Sequence, residues 1–368
     1  MNSGINKIVR FIKIYGLLRT VVKVAGRLRL PIPLWLLLCL AKPIKNGPTV
    51  GIIGCGQFSF STIAYYLTTS TSCKLKWCSD INLDAARTLA VAFGIKTFSE
   101  KCQVHSVPTD LVYIASNHAT HTTYAIECLN AGSDVYIEKP ISTTWEQLNE
   151  LLNVAKVTKR KIYVGYNRPH SPAIKMIRKY VSDHDMPFTL SCFITGHNIP
   201  ENHWYRNPEE GTRVCGNLGH WLDLAVHMAC WAGPDISFVD ITISYSDPGT
   251  PSDNFCVTIN TLRGDLVTLT FSSRSEPFEG VNESINFQQG NLIAKVNDHR
   301  ITQIWVGDKY ISKRHWPKNV GHKKAIMQPF DSANAREWSE LVISTKIMLF
   351  VTDMVNNLET SKRCELSR

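Results

Sequence analysis

The chain has 368 residues, enough for two domains with cores of their own, and its 44% hydrophobic and 19% charged residues exclude disorder and fibrous repeats. It carries 40 Lys and Arg against 31 Asp and Glu, but nine of the basic residues and none of the acidic ones fall in residues 1–47, so the remainder is balanced at 31 of each. A formally neutral body disfavours a nucleic-acid interface. Eleven cysteines show neither a CxxC pair nor a metal-ligand spacing. Cys55, Cys73, Cys78, Cys102 and Cys128 sit in apolar or strand-like stretches and read as buried thiols of a reducing, cytoplasmic compartment, with no bound metal.

Residues 1–47 form a basic, apolar N-terminal extension. Ile5, Ile8, Val9, Ile12, Leu18, Val22 and Ala25 recur at helical spacings, which Gly16 and Gly26 weaken. After Pro31 and Pro33, the apolar run 34–41 falls well short of the roughly 20 residues that span a bilayer. Cys39-Leu40-Ala41-Lys42 is not a small-x-small cleavage site, so a secretory signal is disfavoured. Two readings follow: a segment resting on an anionic membrane surface, peripheral at its inner face, or a helix packed on the body or on a second subunit.

From residue 49 the pattern changes. An apolar run over 49–53 leads into Gly54-Cys55-Gly56-Gln57-Phe58-Ser59 and then a helical pattern over 60–67. Gly54 would permit a tight turn, and Gly56 would let a pyrophosphate approach the backbone at a helix N-terminus; Ser59 is small enough for close packing. A second strand over 74–78 ends at Asp80, placed to accept hydrogen bonds from ribose hydroxyls and to repel a 2′-phosphate, which favours NAD over NADP. The alternative for Asp80 is an N-cap for a helix over 83–92. Strands over 111–115, 134–137 and 161–164 then alternate with helices over 120–131, stopped by Gly132, and after a Thr143…Glu146 capping box. Such alternation predicts a doubly wound parallel sheet, a Rossmann domain over 48–166, with ligand at the carboxyl ends of its strands. Further on, strands are predicted over 188–195, 238–245, 255–262 and 266–271, the last two joined by the hairpin Arg263-Gly264-Asp265. Gln289-Gly290-Asn291 and Gly307-Asp308 mark more turns. Trp338, Leu341, Val342, Thr345, Leu349 and Thr352 lie on one face of a closing helix.

Glu138-Lys139-Pro140, at a strand end downstream of the glycine turn, resembles a motif of the glucose–fructose oxidoreductase / inositol dehydrogenase / rhizopine-catabolism (Gfo/Idh/MocA) family. Ser116-Asn117-His118-Ala119-Thr120-His121 looks like the family's loop after its fourth strand, with His118 in place of the usual Pro. Gly165-Tyr166-Asn167-Arg168-Pro169-His170 resembles its entry into a second domain. Gly216-Asn217-Leu218-Gly219-His220-Trp221-Leu222-Asp223 resembles its catalytic helix. The resemblance covers roughly residues 48–360.

It implies an α/β protein with a second domain over 167–368 on an open, mostly antiparallel sheet, and hydride transfer between nicotinamide and a carbinol carbon of a sugar, polyol or nucleotide sugar. Gly54, Gly56, Gln57, Phe58, Asp80, Ser116, Asn117, His121, Glu138, Lys139 and Pro140 would hold the cofactor. Lys139 would hydrogen-bond the reacting hydroxyl and His220 would act as general base. Asn167, Arg168, His203, Trp204, Asn217 and Asp223 would meet the substrate; the aromatic stretch at 203–205 is either a stacking platform for a sugar ring or a packed loop. Many relatives carry an Asp where this chain has Gly216, and others a Glu where it has Asn217, so a local carboxylate for His220 is missing. A non-hydride enzyme with retained NAD and a catalytically silent NAD-binding partner therefore stay open. The resemblance further suggests surface-polysaccharide biosynthesis and a homo-oligomer.

Overall fold

Short β-branched runs separated by amphipathic helices form the first sheet. In the computed structural model, which describes residues 2–38, 46–233 and 236–366, the chain divides into two compact units. The first holds residues up to 142, 146–165 and 322–335; the second holds 143–145, 166–321 and the chain from 336. Cys39, Leu40, Ala41, Lys42 and Lys45 lie outside the described residues.

The first unit carries β1 (Thr49–Ile53), β2 (Lys74–Ser79), β3 (Thr97–Ser99), β4 (Leu111–Ile114), β5 (Asp134–Ile137) and β6 (Ile162–Val164), all parallel in the order 3-2-1-4-5-6. This is the doubly wound order, and its crevice opens where the order reverses, between β1 and β4. The inner strands are mostly apolar because both faces are covered: β4 is buried throughout. The three-residue β3 has no counterpart in the sequence reading, being too short to show a period. The helix after the glycine turn starts as a π-type turn, Ser59–Ala64, and continues as Tyr65–Ser70. The ten described cysteines are all free; Cys55, Cys73, Cys78 and Cys128 are buried and Cys102 is half-buried.

The N-terminal segment belongs to this unit. It forms helices Asn2–Tyr15, Leu17–Arg27 and Leu34–Leu38, the first two separated at Gly16, whose φ is 82°. Val22, Ala25, Leu34 and Leu38 join the core of the Rossmann sheet. Gly26 allows the close approach, since a Cβ there would lie 2.6 Å from the Phe60 ring. Arg19 lies over Tyr65 and Tyr66, 4.8 and 4.5 Å from their centroids, and donates to the Thr62 hydroxyl at 3.1 Å.

The second unit is built on β7 (Phe188–Gly196), β8 (Phe238–Tyr245), β9 (Asn254–Thr261), β10 (Leu266–Ser272), β11 (Val281–Gln289), β12 (Leu292–Asn297), β13 (Ile301–Val306), β14 (Lys309–Arg314) and β15 (Ser361–Glu365). Their order is 14-13-12-11-7-10-9-8-15, antiparallel except where β7 meets β10. Period-two burial gives the sheet one apolar face, as in β7, where Phe188, Leu190, Cys192 and Ile194 are buried. Helices Gly219–Ala229 and Trp338–Asn356 pack on each other, fixed by charge as well as by apolar contact. Asp223 is fully buried; its Oδ2 accepts from Arg336 at 2.7 Å and its Oδ1 from Ser344 at 2.9 Å. Arg336 also pairs with Glu340, which His227 meets at 2.7 Å. Removing the cation would strand two buried carboxylates. Arg336→Met is therefore expected to destabilise the protein by about 3–5 kcal/mol, read as a fall in the denaturant midpoint followed by tryptophan fluorescence.

Candidate active site

In the first unit, five strand ends bring together the residues expected around a dinucleotide. β1 ends at Gly54, whose φ is 83° and whose Cβ, if it had one, would collide with the backbone of Ala115 and Ser116. Only glycine fits there. Its N–H donates to the Ser79 carbonyl at 2.8 Å. At Gly56 an added Cβ would have nothing within 4 Å, so the loop presents bare backbone to open space. The Cys55 N–H donates to Asp80 Oδ2 at 2.7 Å and the Asn82 N–H to Oδ1 at 2.8 Å, which fixes the carboxylate beside the glycine loop. The following helix, Leu83–Phe93, is capped by Asn82, which accepts from the Ala85 N–H at 3.1 Å. The capping role considered for Asp80 thus falls to Asn82. Gln57 and Phe58 turn their side chains to protein neighbours: Gln57 donates to the Lys23 carbonyl at 3.0 Å, and the Phe58 ring packs edge-on against His322 at 5.4 Å.

Beyond β4, Ser116 shares a 2.7 Å hydrogen bond with Thr120, and Asn117 is exposed. His121 is buried between two carbonyls, Pro140 at 2.8 Å from Nδ1 and Ser116 at 3.1 Å from Nε2. Burial pushes its pKa down to about 4, so the neutral ring donates to one carbonyl at a time. It ties the β4 loop to the turn after β5. In that turn the Lys139–Pro140 peptide is cis and Lys139 is half-buried. Glu138 is buried, accepts from the Tyr136 hydroxyl at 3.1 Å, and fits only because residue 165 is glycine, where a Cβ would lie 2.5 Å from its carboxyl group. Burial pushes its pKa up to about 7, against the pull of the Lys139 charge.

In the second unit, His220 stands at the start of helix Gly219–Ala229, half-buried, with its ring edge-on to Tyr166 at 6.3 Å and Trp221 at 6.0 Å. Three residues expected to meet substrate are engaged inside the protein instead. Asp223 is held by Arg336 and Ser344, as above. Arg168 grips Glu283 through Nε at 3.3 Å and Nη2 at 3.1 Å and stacks on Trp221 at 4.0 Å. Asn167, fully buried, donates to the Val320 carbonyl at 2.6 Å and accepts from Arg168 at 3.1 Å. Trp221 also donates to Glu283, at 2.7 Å. Burial opposes charge on Glu283, but Arg168 and His299 outweigh it and hold the carboxyl well below the usual carboxylate range. These residues position the helix that carries His220.

His203, Trp204 and Asn217 retain exposure. His203 accepts from the Tyr205 N–H at 3.2 Å and stacks on Trp204 at 5.9 Å; Trp204 meets Tyr205 edge-on at 4.2 Å. Two features escaped the sequence reading. The Tyr205 ring lies on Gly216, where a Cβ would be 2.5 Å from it, and so fills the space of the missing side chain. Asn217 accepts from Arg213 at 3.4 Å, and Arg213 and Arg206 converge on Asp253 at 3.2 and 2.9 Å. The aromatic triplet at 203–205 was the one local signal; Asp253 is 40 residues from Arg213 and gave none.

Comparison with known proteins agrees with this geometry. Residues 49–166 match the Gfo/Idh/MocA oxidoreductase family, described as an NAD-binding Rossmann fold. Inositol 2-dehydrogenase of Klebsiella pneumoniae subsp. pneumoniae is 26% identical over 160 residues, 42% of this chain and 48% of that protein. Inositol 2-dehydrogenase 3 of Saccharopolyspora erythraea is 25% identical over 169 residues, 45% of this chain and 50% of its own. The chain thus matches about half the length of these curated relatives. Among solved structures, levoglucosan dehydrogenase in complex with NADH and levoglucosan has a TM-score of 0.70 at 16% identity, covering 87% of this chain and 99% of that one. A dehydrogenase from Chromobacterium violaceum gives 0.68 at 14% identity, with coverage of 84% and 94%. At these identities the likeness to the solved structures is one of fold, and it extends through both units; the match to the Gfo/Idh/MocA oxidoreductase family is confined to residues 49–166, the segment that carries the 3-2-1-4-5-6 sheet and the glycine loop.

Proposed function

We propose that the protein transfers a hydride between NAD and a carbinol carbon of a sugar, polyol or nucleotide sugar. The observation that carries this reading is the glycine loop, open at Gly56, with the Asp80 carboxylate fixed on its Cys55 N–H. That donor set fits a dinucleotide: backbone N–H groups for the pyrophosphate, and a carboxylate for the ribose that disfavours a 2′-phosphate. When bound, the nicotinamide would supply or accept the hydride. In this chain Lys139 would hold the reacting hydroxyl and His220 would take its proton in oxidation and return it in reduction. His121 and Glu138 would position the turn that carries Lys139. His203, Trp204 and Asn217 are the substrate contacts we retain. From the cysteine usage we place the enzyme in the cytoplasm, and from the resemblance we assign it to a homo-oligomer acting in surface-polysaccharide synthesis. One observation favours a second reading, a silent NAD-binding partner: the Tyr205 ring lies against Gly216, the position at which the resemblance implies a carboxylate side chain, and leaves no room for one. A non-hydride enzyme would instead retain NAD without releasing NADH.

Three measurements test this. With a panel of inositols, free sugars and nucleotide sugars, Lys139→Met and His220→Ala are each expected to lower NADH formation about 10²–10⁴-fold while NADH binding persists; binding with no turnover on any substrate would support the silent partner. Asp80→Ala is expected to weaken NADH binding about tenfold and NADPH binding less, by fluorescence titration. The Glu138 carboxyl has its pKa raised from 4.5 to about 7, so its stabilising contribution is full below pH 4.5 and is lost as pH rises through 7. Glu138→Gln does not titrate, and should match the parent in stability near pH 4.5 and exceed it at pH 8 by on the order of 3 kcal/mol.

A further inference from the structure

We propose that the outer face of the N-terminal helices docks on an anionic lipid bilayer. The inference concerns the first unit alone and stands apart from the hydride-transfer reading. Among the described residues, nine of the 23 exposed large apolar side chains lie between Ile8 and Leu36, under a tenth of the chain. The same stretch is basic, and no Asp or Glu precedes Asp80.

Helix Leu17–Arg27 shows why the face stays open. At about 100° per residue, Leu17, Val21 and Leu28 fall within about 40° of one another, and Val22 and Gly26 lie across the helix from them. The inner side is taken: Val22 and Gly26 are buried, Gly26 against Phe60, and Arg19 is anchored over Tyr65 and Tyr66. The outer stripe has Leu17 at 65%, Leu18 at 49%, Val21 at 44% and Leu28 at 62% exposure. Trp35 and Leu36, on the next helix, are exposed as well. Arg10, Lys13, Arg27 and Arg29 are exposed around it. An apolar stripe within an acid-free basic rim is the pattern of a segment lying in a bilayer interface, its apolar side chains among the acyl chains and its cations at anionic headgroups. Among the described residues no helix is long and apolar enough to cross a membrane, so the contact would be peripheral.

The test sediments the full chain with vesicles of phosphatidylcholine, with and without phosphatidylglycerol. The protein should pellet with the anionic vesicles, stay in the supernatant with phosphatidylcholine alone, and be released by high salt. The triple variant Leu17→Ser/Val21→Ser/Leu28→Ser and the single variant Arg27→Glu should each bind more weakly, the triple about tenfold or more. Their thermal midpoints should equal the parent's, because every substituted side chain is exposed. Failure to pellet with anionic vesicles, or equal pelleting of the triple variant, would overturn the proposal. A dimer in sedimentation velocity that the triple variant dissolves, without lipid binding by the parent, would assign the face to a second copy instead.

Discussion

The first unit depends on a turn that only glycine can make. At the end of β1 the chain must reverse against the backbone of Ala115 and Ser116, with a positive φ at Gly54 and no room for a Cβ. That turn puts the Cys55 N–H at Asp80, and Asp80 in turn orders the start of the next helix through Asn82. Along the same edge, His121 joins the β4 loop to Pro140, and Gly165 leaves room for the Glu138 carboxyl. The strand ends are thus held to one another by backbone and buried polar contacts, and at Gly54 and Gly165 there is no room for an added Cβ.

The second unit meets a different constraint, the burial of charge. Arg168, Glu283, Asp223 and Arg336 are all nearly or fully buried, and each is matched by an opposite charge or a hydrogen bond. Such pairs add little net stability compared with apolar packing, but they penalise every arrangement that leaves one member alone. Their effect here is to fix Trp221 and the helix around it, and with them His220. Tyr205 on Gly216 limits the same region, since its ring takes the volume that any side chain at position 216 would occupy.

The doubly wound sheet, four strands and one hairpin of the second sheet, the glycine loop and the strand-end placement of Asp80 and Glu138-Lys139-Pro140 are legible in the sequence, whereas the antiparallel order of the second sheet is implied only by the family resemblance. The legible features rest on short-range regularities: a period of two or 3.6, a glycine where φ must be positive, a polar residue at the end of an apolar run. Which polar groups face inward is visible only in the folded chain. Asn82, not Asp80, caps its helix; Asn167, Arg168 and Asp223 spend their polar atoms on Val320, Glu283, Arg336 and Ser344; and the N-terminal helix has one face in the core and an apolar stripe outside. The physical reason is that a side chain's partner is set by proximity across the fold. Arg168 and Glu283 are 115 residues apart and Asp223 and Arg336 are 113 apart, and no local pattern encodes a meeting at that distance.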